Sequence, residues 1–292
     1  MLLAISIVAV WGSTFASSKM VLEGGMSPMG ILFFRFLGAW AILLACFRDR
    51  FFPHSWAHEF RMVLLGILGG SLYYFLQNTA LLYSQSTNVS FLLSLCPLFT
   101  ILLAHWILKD KNVTPLTWVG IVVAMGGVSL VITGGDFHLQ AFPRGDTLAM
   151  AAAFSWAVYT ILLRPVASCY TITFLSRKVF FYGWLTALPL EMATTFRGDC
   201  VALVSSSTVW LNMLFLTLFA SVFCYWAWNK LIRTVGPAVL APFLYLDAFF
   251  ATIFSFLFLD EKMTIPLFCG LLLILGGVII AGSRHPKPVD VK

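Results

Sequence analysis

This sequence predicts an all-α integral membrane protein of ten transmembrane helices, arranged as two inverted five-helix repeats. Three observations carry the prediction. Hydrophobic residues make up 60% of the chain and charged residues only 10%, against about 25% charged in soluble domains, and the mean hydropathy is +0.94. Apolar runs of about 20 residues, enough for a helix to cross roughly 30 Å of hydrocarbon, recur along the whole chain. The landmarks between Tyr74 and Val128 then return in the same order between Tyr225 and Val278.

The ten runs fall at residues 2–22, 29–47, 61–83, 86–108, 114–133, 145–164, 171–194, 208–233, 236–259 and 264–283. The first lacks a basic leader and is interrupted by Trp11-Gly12-Ser13-Thr14, so it reads as a retained helix and not a cleaved signal. The second contains Arg35, the third Tyr74 and Asn78, and the fourth Cys96-Pro97. The fifth ends on Gly126-Gly127-Val128, after which the turn-rich stretch from Gly134 to Gly145 separates repeat one, residues 1–134, from repeat two, residues 145–284. The sixth run carries Trp156 and Tyr159, the eighth Tyr225 and Asn229, the ninth Pro237, Pro242, Tyr245 and Asp247, and the tenth Gly276-Gly277. Continuous apolar character without in/out alternation excludes a β-barrel. Too little sequence lies between the runs for a soluble domain, and no Walker A motif is present, so an ATP-driven pump is excluded.

Duplication is the strongest pattern. Tyr74-x-x-x-Asn78 answers Tyr225-x-x-x-Asn229 and Leu108-Lys109-Asp110 answers Leu259-Asp260-Glu261, at an offset of 151 residues. Thr114, Gly120 and Gly126-Gly127-Val128 answer Thr264, Gly270 and Gly276-Gly277-Val278 at an offset of 150, and Trp11 answers Trp156 at 145. Five helices is an odd number, so the second copy must enter the membrane upside down. Doubling of this kind is the usual trace of a carrier that alternates access about a central site.

Charge sets the orientation. The net charge of +6 comes from 18 Lys and Arg. Thirteen of them, including Arg48, Arg50, Arg61, Lys109, Arg177, Lys178 and Lys287, fall on the side that holds both termini, which the positive-inside rule makes cytoplasmic. This distribution reads as membrane orientation, with no nucleic-acid partner implied. The 6 cysteines are scattered singly and form no disulfide framework or C-x-x-C site. His54 and His58 lie four apart in a polar loop and read as surface residues, so no metal or cofactor is expected.

The order Trp11-Gly12-Ser13-Thr14-Phe15, Phe34-Arg35-Phe36, Asn78-x-Ala80-Leu81, Cys96-Pro97-Leu98-Phe99 and Leu108-x-Asp110 resembles one EamA domain. Asn229, Tyr245-Leu246-Asp247-Ala248-Phe249 and Leu259-Asp260-Glu261 repeat the pattern. Residues 1–284 thus resemble the EamA branch of the drug/metabolite transporter superfamily, which implies the ten-helix inverted fold. The chain departs from that family's frequent Glu-Pro in the fourth helix of each copy, with Cys96-Pro97 and Asp247-Ala248 in those places.

Candidate transport residues follow from the cost of polar groups in hydrocarbon. Asp247 sits near the middle of the ninth run, where a carboxylate costs on the order of 3 kcal/mol, so it should face a wet interior and is the candidate coupling residue. The structural alternative is an acid that holds two helices together. Tyr74 with Asn78, and Tyr225 with Asn229, each share one helix face, which should turn inward either to line a substrate site or to glue helices. Trp11, Ser13, Thr14, Trp156, Tyr159 and Tyr245 complete the expected substrate lining, an aromatic box with one acid that suits a cationic nitrogen on an apolar body. Arg35 and Arg177 read as residues snorkelling to the surfaces, and without inward basic groups a phosphorylated substrate is disfavoured. Pro97, Pro237 and Pro242 are the expected bends.

The expected function is a secondary transporter of small organic solutes, with export of amino acids or similar amphipathic metabolites implied by the family resemblance. The partners are a small-molecule substrate and the lipid bilayer, and the sequence leaves monomer or homodimer open. Compact loops fit a bacterial inner membrane. The alternatives are a proton-coupled efflux carrier for cationic or aromatic drugs and a structural or signalling membrane component. A membrane enzyme would need paired catalytic groups at one depth, whereas Asp247 is the one central acid.

Overall fold

A computed structural model describes residues 2–47, 53, 55–108, 115–133, 143–167, 169–235 and 246–282, and every regular element among them is a helix. Leu2–Glu23 forms α1 and Pro28–Cys46 forms α2. Trp56–Tyr83 is one continuous helix, α3. Ser86–Leu93 (α4) and Cys96–Leu108 (α5) share the fourth apolar run, followed by Pro115–Thr133 (α6), Arg144–Ala167 (α7) and Ile172–Thr194 (α8). A short helix, Phe196–Ser205 (α9), precedes α10, which is built from Ser207–Leu214, Phe215–Phe223 and Cys224–Val235. The chain closes with Leu246–Leu259 (α11) and Ile265–Gly282 (α12). Six stretches are long and apolar enough to cross a membrane: Leu2–Glu23, Pro28–Cys46, Trp56–Tyr83, Ser86–Ile107, Arg144–Leu163 and Ser207–Trp228.

Two features depart from the sequence expectation. The fourth run is broken where the Ser94 N–H turns back to the Ser90 and Phe91 carbonyls, and α5 restarts with Pro97 as its second residue, a position that needs no N–H donor. The stretch after α8, expected as loop, contains α9. The ninth helix is described from Leu246 onward, so Pro237, Pro242 and Tyr245 lie outside the described residues.

A further departure is shared by the two halves. In α3 the Leu72 N–H reaches the Ile67 carbonyl, and in α10 the Cys224 N–H reaches the Phe219 carbonyl. Each is a five-residue reach that widens the helix into π-helical turns just before Tyr74 and Tyr225. Such turns insert extra backbone and re-aim the side chains that follow, and they concentrate at functional sites.

Packing pairs the halves. Helix α6 lies against α12, α2 against α8, α1 against α11 and α10, and α7 against α3, α4 and α5. Glycine permits the α6–α12 contact: a Cβ on Gly127 would meet the Gly270 carbonyl at 2.6 Å and the Ile274 nitrogen at 2.7 Å, and one on Gly277 would meet the Gly120 carbonyl and Ala124. Rising numbers on α6 meet falling numbers on α12, so the two helices run antiparallel.

Polar groups fasten the helix ends. At one end Gly25, with φ 92°, turns α1 into α2. At that end Lys19 Nζ donates to the last carbonyls of α3, Leu81 at 2.5 Å and Ser84 at 3.0 Å. The Glu261 carboxylate accepts from the Ser86 N–H at 2.6 Å and the Thr87 N–H at 3.0 Å, which caps α4 with a charge that complements its dipole. At the other end Lys178 pairs with Glu59 at 2.6 Å, and Tyr182 donates to the same carboxylate.

Candidate functional site

The centre of the bundle is aromatic and is built from both halves. Helix α3 contributes adjacent rings, Tyr73 and Tyr74, with centroids 4.8 Å apart. Tyr73 leans on Trp156 of α7 at 4.7 Å, and Trp156 on Tyr159 at 4.9 Å. Gly69, within the π-helical turn of α3, is what lets Tyr159 approach, because a side chain there would overlap its ring. On the other side Tyr74 packs edge-on against Phe36, Phe36 against Phe180, and Phe180 against Tyr225, at 5.1, 5.0 and 5.4 Å. Tyr225 meets Trp11 at 5.9 Å, and Trp11 is fixed by its indole N–H on the Ala220 carbonyl at 3.1 Å. The Tyr74, Tyr159 and Tyr225 hydroxyls lie within electrostatic reach of one another.

Asp247 stands in the first turn of α11, held close to α1 by Gly12, whose added Cβ would meet the Asp247 carbonyl at 2.8 Å and Phe250 Cβ at 2.6 Å. Its Oδ1 is buried and accepts no hydrogen bond. Tyr73 and Cys96 are near enough to feel its charge. Cys96 occupies the same repeat position in the first half as Asp247 does in the second. Trp11, Tyr73, Cys96, Trp156, Tyr159, Tyr225 and Asp247 all keep part of their surface accessible at this junction of helices.

Arg35 corrects the sequence reading. It is 3% exposed, its Nε donates to Ser221 Oγ at 2.7 Å, and its guanidinium lies 4.7 Å from the centroid of the Tyr74 ring. A buried guanidinium stacked on tyrosine is a strong cation–π contact, and the terminal N–H groups that the Ser221 bond leaves over suit a carboxylate. Arg177 and Lys178 are buried as well, Arg177 Nη1 donating to the Phe47 carbonyl at 3.3 Å. Arg35 therefore overturns the expectation that the central interior lacks basic groups, whereas Arg177 and Lys178 stand toward the end of the bundle that holds Glu59. The clue in the sequence was an arginine well inside an apolar run; its partners on α3 and α10 had no local signal.

The remaining predicted residues divide. Asn78 is buried beside Tyr74, as their shared face requires; its Nδ2 donates to the Pro28 carbonyl at 3.2 Å while Oδ1 has no partner. Ser13 and Thr14 return their hydroxyls to their own helix, to the Val10 carbonyl at 2.8 Å and the Trp11 carbonyl at 2.6 Å. Asn229 lies on α10 four residues after Tyr225, its side chain outside what the structure describes, and Pro97 lies at the start of α5. His58 is hydrogen-bonded to the Tyr170 hydroxyl at 2.8 Å, and among the described residues no cluster of three or more His, Cys, Asp and Glu could hold a metal.

Comparison with known proteins is consistent along the whole chain. Residues 1–133 and 143–283 match the profile of the EamA-like transporter family. An uncharacterized transporter of Archaeoglobus fulgidus is 27% identical over 98% of this chain and 97% of its own length. The uncharacterized transporter YyaM of Bacillus subtilis is 30% identical over 77% of this chain and 74% of its own. The uncharacterized inner membrane transporter YedA of Escherichia coli is 26% identical over 82% and 76%. A solved crystal structure with 18% identity superposes with a TM-score of 0.59, covering 97% of this chain and 96% of that one, and so shares its fold.

Proposed function

This chain belongs to the EamA-like transporter family, and on that premise we propose that it is a secondary carrier that exports amino acids or similar amphipathic metabolites by alternating access. The two halves, residues 1–134 and 145–284, act as inverted repeats about a central site. The reading is supported by the antiparallel α6–α12 contact, in which Gly127 meets Gly270 and Gly277 meets Gly120, positions related by the repeat. Matching π-helical turns in α3 and α10 support it too. Both termini face the cytoplasm of a bacterial cell, on the strength of the basic residues gathered on that side.

One observation carries the substrate class. Asp247 presents a buried oxygen without a hydrogen-bond partner to an aromatic centre, and Arg35 presents a guanidinium over Tyr74 that has no carboxylate partner among the described residues, both within electrostatic reach of Tyr73. A solute with an amine, a carboxylate and an apolar or aromatic body satisfies both poles. Bending at the α4–α5 break and at the two π-helical regions turns the site from one side of the membrane to the other. Under the rival reading, efflux of cationic aromatic drugs, Asp247 is used and Arg35 is idle.

Thermal-shift screening of detergent-purified protein against amino acids, polyamines, nucleosides and dyes tests the proposal. Amino acids should stabilise it, and stabilisation by cationic dyes alone would favour the rival. A structural or signalling component would respond to none. In vesicles, Asp247→Asn should abolish dependence on a pH gradient, and unchanged proton-driven uptake by that variant would eliminate coupling through Asp247.

A further inference from the structure

Two carboxyl groups lie close together, away from the central site, at the end of the bundle that holds the α1–α2 turn. Glu191 lies in the last turn of α8 and Asp199 in the first turn of α9, at 0% and 1% exposure. Asp199 is fully engaged by the start of α2: Oδ1 accepts from the Ser27 N–H and Oδ2 from the Ser27 hydroxyl, both at 2.6 Å. Ser27 is also the N-cap of α2, its hydroxyl accepting from the Gly30 N–H at 2.9 Å. Glu191 Oε2 accepts from the Thr195 hydroxyl at 3.0 Å. Glu191 Oε1 is buried and has no hydrogen-bond partner; the two carboxyls are joined through the Ser27 and Thr195 hydroxyls, which lie 3.1 Å apart, and stand close enough to interact directly.

Among the described residues no cation stands near the pair. The first turns of α2 contribute Ser27 and no titratable group until Arg35, which is engaged with Tyr74. Helix α9 adds Arg197, which is exposed and ion-pairs with neither carboxyl, and the half-buried thiol of Cys200; the first half of α10 has no titratable side chain, and Glu23 at the end of α1 is exposed. Two ionised carboxylates buried in contact repel each other and leave an acceptor unsatisfied, whereas one hydrogen between them removes both penalties.

We propose that Glu191 and Asp199 bind one proton between them, and that this proton latches the α1–α2 turn to the α8–α9 corner. The proton comes from solvent, sits on Glu191 Oε1 and is donated in a hydrogen bond to the Asp199 carboxylate. At the opposite end of α8, Glu59 from the start of α3 holds Lys178. That end is closed by a fixed ion pair and this one by a group that titrates. Resting on the alternating-access reading, loss of the proton loosens one mouth of the carrier and leaves the other shut.

The test needs no transported solute, so its outcome is separate from that of the transport assays. Infrared difference spectra of purified wild type minus Glu191→Gln should show a protonated-carboxyl C=O band at neutral pH. Wild-type unfolding temperature should fall as the pH is raised through the loss of that band. Glu191→Gln, whose amide keeps a donor against Asp199, should lose this pH-dependent shift and remain folded at high pH. If that variant does not fold, Asp199→Asn gives the same two readings, its amide donating to Glu191. Absence of the band from the difference spectrum, or retention of the pH-dependent shift in both variants, overturns the latch. Stabilisation of the wild type by sodium at constant pH, lost in Glu191→Gln, would mean that a metal cation fills the gap, and would also overturn it.

Discussion

At the scale of single residues, the centre is defined by two opposite charges that the fold does not pair with each other. Asp247 carries an insertion cost of about 3 kcal/mol with one oxygen unpartnered, so a ligand nitrogen that reaches it gains a desolvated, charge-assisted contact. Asp247→Asn should therefore weaken binding of amine-bearing solutes about tenfold or more, roughly 1.4 kcal/mol, as read by ligand-induced thermal shift. Arg35→Lys keeps the charge but loses the planar stack on Tyr74 and the Nε donor to Ser221. It should destabilise the protein by about 1–3 kcal/mol and weaken solutes bearing a carboxylate, seen as a lower unfolding temperature and a smaller ligand shift. The inward position of the Asp247 carboxyl was legible in the sequence because a lone acid in an apolar run must avoid hydrocarbon. Arg35 was misread because position along α2 gives only distance from a helix end, and the ring that receives it belongs to α3. Glu191 gave no signal in the sequence for the same reason, since the groups around it come from the α1–α2 turn and α9.

At the scale of elements, helix contacts depend on which face of each glycine pair is used. A Cβ on Gly127 would strike the Gly270 carbonyl, whereas one on Gly126 would meet nothing within 4 Å. Gly127→Ala should lower stability by about 1–3 kcal/mol through overpacking, while Gly126→Ala should be neutral or stabilising through helix propensity, both measured by thermal unfolding in detergent. Glu261→Gln removes the charge from the cap of α4 and should cost about 1 kcal/mol. The paired glycines were visible in the sequence as a repeated motif, but the asymmetry between neighbours depends on helix rotation, which that motif does not encode. The π-helical turns had no common sequence signal: in α3 they fall where Gly69 and Gly70 let the helix crowd Tyr159, Phe36 and Gly183, whereas the matching segment of α10, Phe215–Phe223, contains no glycine. Helix α9 was hidden because ten residues of mixed polarity are too short for a span and read as loop.

At the scale of the whole molecule, hydropathy and duplication foretold an all-helical chain because hydrocarbon leaves the backbone few alternatives. Helices were observed at each predicted run, although the fourth is broken and the ninth is described only from Leu246. How the helices pack was less legible, because lipid tails provide no hydrophobic bias between apolar faces and small residues decide the contacts. The account as a whole rests on the second copy entering the membrane opposite to the first.

Vectorial labelling of single cysteines in oriented vesicles tests that most directly. Cysteines at Arg50, Arg197, Lys262 and Lys287 would be introduced one at a time, with the exposed native Cys46, Cys169 and Cys269 changed to serine. Inverted repeats predict that positions 50 and 287 react from one face only and positions 197 and 262 from the other only. Labelling of 50 and 287 from opposite faces would contradict the account.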